Sequence, residues 1–445
     1  MKLKDTAFTV RTERAIPFCV ITPGSCHRSE IPLEELQRLT ETAGASVVHT
    51  LFQNRVSIDP VYYLGKGKAL ELSKIADELN ADVLICDDNL TPAQVRNLEK
   101  ITGKKVIDRS ELILDIFATR AKTFQAKLQV ELAQLEYTRP RLKRMWTHLS
   151  RIEGGIGTRG PGEKQLEVDK RIISKKIQHL KKKLNEIEKR QERLVISRKE
   201  FFTVSIVGYT NAGKSTLMNV LTDAGTLVED KLFATLDTKT GLCILENGER
   251  ILVSDTVGFI QKLPHHLIAS FKATLEEARN ADLLLHVVDI SAPEVQKHID
   301  AVNTVLKELG CDQKPVIMVF NKMDALKDES VIPLLKNQYD DSVLIAAKTS
   351  YGIPDLKRRI REIIELEFVD IELSCSSGSG KLISYLYEHA NIISSQFDEK
   401  RVFFRLCVDR RLLRKLCAMD NDVQIHETVP HEGHLKCKSD LKVKL

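Results

Sequence analysis

Gly208, Tyr209, Thr210, Asn211, Ala212, Gly213, Lys214 and Ser215 spell G-x-x-x-x-G-K-S between the apolar run TVSIV and the helix-forming run STLMNVLT, which opens with Ser215 and Thr216. Few backbones accept that order. A strand must stop, the chain must turn with its amides exposed, and a helix must start with its N-terminus aimed at whatever the turn encloses. Such a turn cradles phosphate. Lys214 is placed to reach β and γ phosphates as a catalytic cation, and Ser215 to ligate Mg2+.

The runs LCIL, RILVSD, LLLHVVDI and PVIMVFNK alternate with helical stretches after this turn. Residues 201–366 are therefore expected to form a doubly wound α/β domain with a mainly parallel sheet, in which ligands sit beyond the carboxyl ends of the strands. Two more elements stand at such ends. Asp255, Thr256, Val257 and Gly258 close RILVSD; the carboxylate can hold Mg2+ through water, and Gly258 has no Cβ to keep its amide from a γ-phosphate. Asn321, Lys322, Met323 and Asp324 close PVIMVF. Asp324 can accept two hydrogen bonds from the N1 and N2 edge of guanine, a donor pair that adenine lacks, so GTP and GDP are expected in preference to ATP.

With 445 residues the chain is expected to hold two to four domains. Residues 1–115 alternate short β-like runs (46–50, 81–86, 105–108) with helical stretches (66–79, 91–101), as in a small α/β domain with a largely parallel sheet. In residues 116–200 the pattern becomes helical, with Phe117, Ala121, Phe124, Leu128, Leu132 and Leu135 on one face and Ile173, Ile177, Leu180, Leu184, Ile187 and Leu194 at coiled-coil steps on a second. A helical hairpin with a basic, Gly-rich tip between is implied. Residues 367–445 read as a small α/β tail domain with strands at VDIEL and RVFFRLCV and a helix over 381–395.

Charge sharpens the reading of the hairpin. Residues 139–200 carry 19 Lys or Arg against 8 Asp or Glu, an excess larger than the +5 of the whole chain. Solvated helix faces would explain some of that, and a nucleic-acid probe would explain its concentration, with Arg141, Lys143, Arg144, Arg151 and Arg159 for phosphates and Trp146 and His148 for stacking. The N-terminus lacks an h-region and no apolar run is of membrane length, so a cytoplasmic, monomeric protein is expected, with peripheral attachment to a membrane as a second location. Nine scattered Cys suit buried thiols. His431, His434 and Cys437 could be metal ligands but cluster only as three; Ser377 to Lys381 imitates half a phosphate loop and reads better as a helix start; His265 and His266 read as exposed loop.

The strand-end elements together resemble the Ras-like translation-factor superclass of GTPases, in which Ala346, Ala347 and Lys348 after SVLI would close over the base, with Ala346 where Ser is usual. Related GTPases with Asn at the position of Asn211 use it to bind K+. Within the superclass, Phe233, Ala234, Thr235, Leu236 and Asp237, the stretch GGIGTRGPGE from Gly154 to Glu163, and LGKGKALEL, IDRSELILDIFATRA and QVELAQLEY resemble the HflX family of ribosome-associated GTPases. The chain departs from it at GEKQLEVDKR, with Lys164 and Val168 where the family has Thr. The resemblance implies that Thr235 joins Ser215 on Mg2+ as a catalytic switch residue. It also implies binding to the large ribosomal subunit through rRNA and splitting of stalled ribosomes under stress. Phe259 stands where Ras-like enzymes place a water-orienting Gln, so intrinsic hydrolysis is expected to be slow. An RNA-remodelling ATPase using the same loop is the competing expectation, against which NKMD argues.

Overall fold

The computed structural model describes residues 12–23, 33–142, 161–198, 201–222, 233, 239–246, 248–261, 277–326, 328, 330–366, 368–409, 416 and 423–430. They group into two compact units, residues 1–242 with 252–350 and residues 243–251 with 351–445.

The first unit opens with a five-stranded parallel sheet: β1 (Arg14–Ile21), β2 (Ser46–Val47), β3 (Leu51–Asn54), β4 (Val83–Cys86) and β5 (Lys105–Asp108), in the order β2-β1-β4-β5 with β3 also on β1. β1 has no counterpart among the expected strands, because Pro17 interrupts its donors. The structure accommodates it: β2 pairs with Arg14 and Ala15 and β3 with Phe18 to Ile21, so Pro17 stands where that neighbouring edge is interrupted. Helices α1 (Glu34–Thr42), α2 (Lys66–Glu78) and α3 (Pro92–Thr102) cross between strands. Thr91 and Gln94 form a reciprocal capping box at the start of α3, and Gly103 ends it in the left-handed region at φ 66.

The expected helical face from Phe117 to Leu135 is carried by two helices, α4 (Arg109–Arg120) and α5 (Phe124–Thr138). Ala121 is extended with ψ 108, and the Thr123 hydroxyl accepts from the Ala126 amide at 3.1 Å to start α5. Apolar periodicity ran across this break, which only the cap chemistry of Thr123 announces. The hairpin partner of α5 is α6 (Pro161–Arg198). Leu128 and Leu132 of α5 bury against Ile177, Leu180 and Leu184 of α6, with Lys176–Glu131 and Lys181–Glu136 ion pairs at the rim. Lys143, Arg144, Trp146, His148, Arg151 and Arg159 lie outside the described residues.

A second sheet follows: β6 (Phe202–Gly208), β7 (Lys239–Ile244), β8 (Arg250–Asp255), β9 (Leu283–Asp289), β10 (Val316–Asn321) and β11 (Ser342–Leu344), ordered β11-β10-β9-β6-β8-β7. The order reverses at β6, which places the 208–215 turn at the switch point of a doubly wound sheet. Helix α7 (Lys214–Thr222) leads directly out of the turn, and α8 (Val295–Glu308) and α9 (Val331–Gln338) connect the later strands. Core residues of the two sheets merge: Phe117, Ala121 and Tyr137 share one buried cluster with Val207, Tyr209, Phe233 and Phe259.

In the second unit α10 (Ile353–Leu366) precedes β12 (Phe368–Ser376), α11 (Gly380–His389), β13 (Asn391–Phe397), β14 (Arg401–Asp409) and β15 (Gln424–Pro430), an antiparallel sheet ordered β13-β14-β12-β15. The helix expected over 381–395 stops at His389, and 391–397 pairs with β14 instead. The Ser377–Lys381 segment opens α11. Residues 431–445, with His431, His434 and Cys437, and His265 and His266 lie outside the described residues. Among the described residues six Cys are buried, no group of three or more His, Cys, Asp or Glu could hold a metal, and no helix is long and apolar enough to cross a membrane.

Candidate functional site

The turn from Gly208 to Ser215 is shaped by positions that reject side chains. Gly208 has φ 153, and a Cβ there would lie 2.2 Å from the Val287 carbonyl oxygen; Gly213, at φ 93, would put one 2.2 Å from Asn321 Nδ2. Asn211 adopts the left-handed region at φ 61, where Asn is tolerated. Tyr209, Thr210, Ala212 and Lys214 are buried, while Asn211, Gly213, Ser215 and Thr216 are partly exposed.

The segment after β8 lies along this turn. Phe259 donates its amide to the Gly208 carbonyl at 3.1 Å and its carbonyl accepts from the Thr210 amide at 2.7 Å. Gly258 is pressed against the loop, so a Cβ there would sit 2.8 Å from Thr210 Cγ2 and 3.0 Å from Lys214 Nζ. Lys214 Nζ donates to the Tyr209 carbonyl at 2.7 Å, and burial brings its ammonium down to about 8, partly offset by Asp255. Ser215 Oγ donates to the Asp255 carboxylate at 2.6 Å. A hydroxyl and a carboxylate side by side, both hard oxygen donors, form a set that fits Mg2+. Thr256 is fully buried and donates to the Ile206 carbonyl at 2.8 Å, and Val257 is buried as well.

Asn321 bolts two loops together. Its Nδ2 donates to the Ala212 carbonyl at 2.9 Å and its Oδ1 accepts from the Ala347 amide at 3.0 Å. Lys322, left-handed at φ 65, pairs with Asp289 at 2.7 Å, and Asp324 stands exposed on a short 3-10 turn over Met323–Ala325. Ala346 and Ala347 are buried and Lys348 is exposed. The structure thus gathers the Gly208, Asp255, Asn321 and Ala346 segments at one sheet edge. Phe233 is described and buried, its ring edge-on to Phe117 at 4.7 Å, whereas Ala234, Thr235, Leu236 and Asp237 lie outside the described residues.

Arg141 corrects an expectation. It is not displayed at the basic tip: its guanidinium donates to Asp108 at 3.2 Å and to the Leu90 and Tyr137 carbonyls at 3.2 and 3.1 Å, and lies 3.6 Å from the centre of the Tyr137 ring. A cation already paired with a fully buried carboxylate is committed to the N-terminal sheet.

Local patterns also passed over Glu35, Arg109, Gln261, His286 and His298. The Tyr209 hydroxyl donates to Glu35, accepts from the Gln261 amide at 2.8 Å, and its ring stacks on His298 at 4.0 Å. Arg109 donates to Glu35, to Asp87 at 2.7 Å and to the Gln261 carbonyl at 3.2 Å. Burial lowers its pKa, and the two carboxylates more than reverse that. His286, buried on β9, is held down to about 4 by burial and by the Lys214 cation. A strand-end position for Arg109 was the one available signal; sequence separation hid the rest.

A doubly wound sheet with a phosphate-type turn at its switch point, a DxxG segment against it and an NKxD segment bolted to it defines a P-loop GTPase. Family models agree in three consecutive stretches: GTP-binding GTPase N-terminal over residues 30–118, GTP-binding GTPase middle region over 120–198, and 50S ribosome-binding GTPase over 203–322. The chain is 45% identical to the GTPase HflX of Lacrimispora saccharolytica over 91% of its own length and 96% of that protein, and 45% identical to the GTPase HflX of Escherichia coli over 80% and 84%. It belongs to the HflX family of GTPases. A GTP-binding protein of Sulfolobus solfataricus solved with GDP is 26% identical, with a TM-score of 0.42 over 79% of this chain and 98% of that one.

Proposed function

We propose that this GTPase binds the large ribosomal subunit through rRNA, with the tip of the α5–α6 hairpin as the contact, and that it splits or rescues stalled ribosomes under stress. The carrying observation is the pairing of α5 with α6, the two helices that flank the Arg-, Lys- and Gly-rich stretch 143–160 in the chain. The description of the model matched over 203–322, a 50S ribosome-binding GTPase, supports the choice of partner. Lys143, Arg144, Arg151 and Arg159 are its phosphate-binding residues in this reading; Arg141 is not.

At the nucleotide, Lys214 would meet the β and γ phosphates, Gly258 would give its amide to the γ-phosphate and Asp324 would read guanine, with 346–348 closing over the base. Ser215 and Thr235 would hold Mg2+, which neutralises charge on the phosphate oxygens, and Asn211 would offer its oxygen to K+. Phe259 is buried and apolar, so no side chain there orients water, and turnover stays slow until the ribosome contributes the missing part. The site thereby times residence on the subunit. The protein acts as a cytoplasmic monomer.

Cosedimentation with isolated large subunits tests this: binding is expected with a non-hydrolysable GTP analogue and not with GDP. Affinity should fall steeply with salt as counterions are released, and K143E/R144E/R151E should abolish it. Salt-insensitive binding, or unaffected binding by the triple variant, would remove the hairpin from the interface.

A further inference from the structure

Because Phe259 leaves the γ-phosphate end without an orienting amide side chain, the backbone from Gly258 to Gln261 has to be placed by other groups. Part of that placement is local, through the Phe259 and Thr210 backbone bonds to the turn. The rest comes from the N-terminal sheet. Glu35 lies in the first turn of α1 and Arg109 begins α4, yet both reach the far sheet: Glu35 accepts from the Tyr209 hydroxyl, and Arg109 grips the Gln261 carbonyl while pairing with Glu35. Tyr209 completes the circuit by accepting the Gln261 amide at 2.8 Å. Both backbone polar groups of Gln261 are therefore tied, its amide by the turn's tyrosine and its carbonyl by the N-terminal arginine. Tyr209 and Arg109 are 6% and 3% exposed and Glu35 is partly buried, so these bonds are shielded on most sides, which strengthens their hold on the geometry.

We propose that Glu35 and Arg109 are positioning residues for GTP hydrolysis: through Tyr209 and the Gln261 peptide they set the pose in which the Gly258 amide meets the γ-phosphate. A GTPase without the orienting glutamine thus draws part of its catalytic geometry from a different domain. Simple glue between domains would stabilise the fold and leave turnover alone. Positioning acts on the chemical step and on the γ-phosphate, which GDP lacks.

The inference rests on the assignment of Gly258 to the γ-phosphate, and K214A tests the assignment of the site separately, since its turnover should collapse whatever the N-terminal residues do. The full chain is assayed for steady-state GTP hydrolysis, GDP affinity and melting as Y209F, E35A, E35Q and the Y209F/E35A double variant. In Y209F and E35A kcat is expected to fall about tenfold, while KM and GDP affinity stay within about twofold. The double variant should be no slower than the slower single one, because the groups act as a unit. E35Q keeps an acceptor for the hydroxyl and should fall between E35A and the wild type. If Y209F or E35A melts below the assay temperature, E35Q decides by the same split between kcat and KM. Wild-type kcat, a parallel loss of GDP affinity, multiplicative losses in the double variant, or a rise in kcat, which would make the circuit a brake, each overturns the proposal.

Discussion

The chain carries one all-parallel and one mainly parallel α/β sheet whose carboxyl edges are finished in opposite ways. Along the first, the residues that follow β4 and β5 are consumed by one another: Asp88 by the Tyr63 hydroxyl, Asp87 by Arg109, Asp108 by Arg141 and the Leu90 and Glu111 amides, Asn89 by the Ser110 hydroxyl. Along the second, the same kind of edge carries Gly208, Gly213 and Gly258, each close-packed where a Cβ would collide, beside Lys214 and Ser215. Strand order offers both edges to a ligand. Side-chain choice decides which is filled from within: at the first edge carboxylates are matched by Arg109, Arg141 and a tyrosine, whereas at the second Lys214 and Ser215 are held only by the Tyr209 carbonyl and Asp255, in a turn shaped for phosphate.

The sharpest way to break the contrast is at the base-recognition end of the open edge. Asp324→Ala should cost roughly 10⁴-fold in the preference for GTP over xanthosine or adenosine triphosphate. Competition binding with the three nucleotides measures it, and an unchanged ranking would move base recognition away from Asp324.

At the filled edge the corresponding change should touch stability and leave nucleotide binding alone. Arg141→Met removes the cation from Asp108, a carboxylate with no exposure, and is expected to cost about 3 kcal/mol, since breaking a buried pair strands its partner. The Leu90 and Glu111 amides, which also donate to Asp108, keep the loss at the low end. Denaturant titration reads it, alongside a KM for GTP that stays constant. Ribosome binding lost at full stability would instead return Arg141 to the rRNA surface.

The same contrast explains what could be read from the chain. At the open edge the motifs are contiguous residues whose spacing is set by one turn, so 208–215, 255–258 and 321–324 announce themselves, and the apolar runs between them announce the strands. At the filled edge the partners are separated by tens of residues: Arg109 meets Glu35 and Gln261, and Arg141 meets Asp108, only after the sheet forms. Arg141 was drawn into the basic hairpin because its neighbours in sequence are basic. Periodicity failed where two helices share one apolar face across a break, at Ala121–Thr123, and where a Pro-bearing strand hides its donors, at Pro17.

Beneath the open edge, on β9, lies a buried imidazole. His286 is 1% exposed on β9, its Nδ1 has no partner among the described residues, and Lys214 is its charged neighbour. Burial first, then that cation, hold its pKa at about 4 against an ordinary 6.5. A depressed folded value means that the unfolded chain binds the extra proton between these limits. The stability that neutral His286 secures is complete above about pH 6.5 and is lost as pH falls toward 4. The expected size is on the order of 2 kcal/mol, taking the shift itself as an upper bound. His286→Asn should lower stability at neutral pH yet flatten its dependence between pH 4 and 6.5, as followed by exchange of the β6 and β9 amides. Parallel pH profiles for the two proteins would mean that the imidazole is protonated in the fold, and that water or an anion reaches beneath the turn.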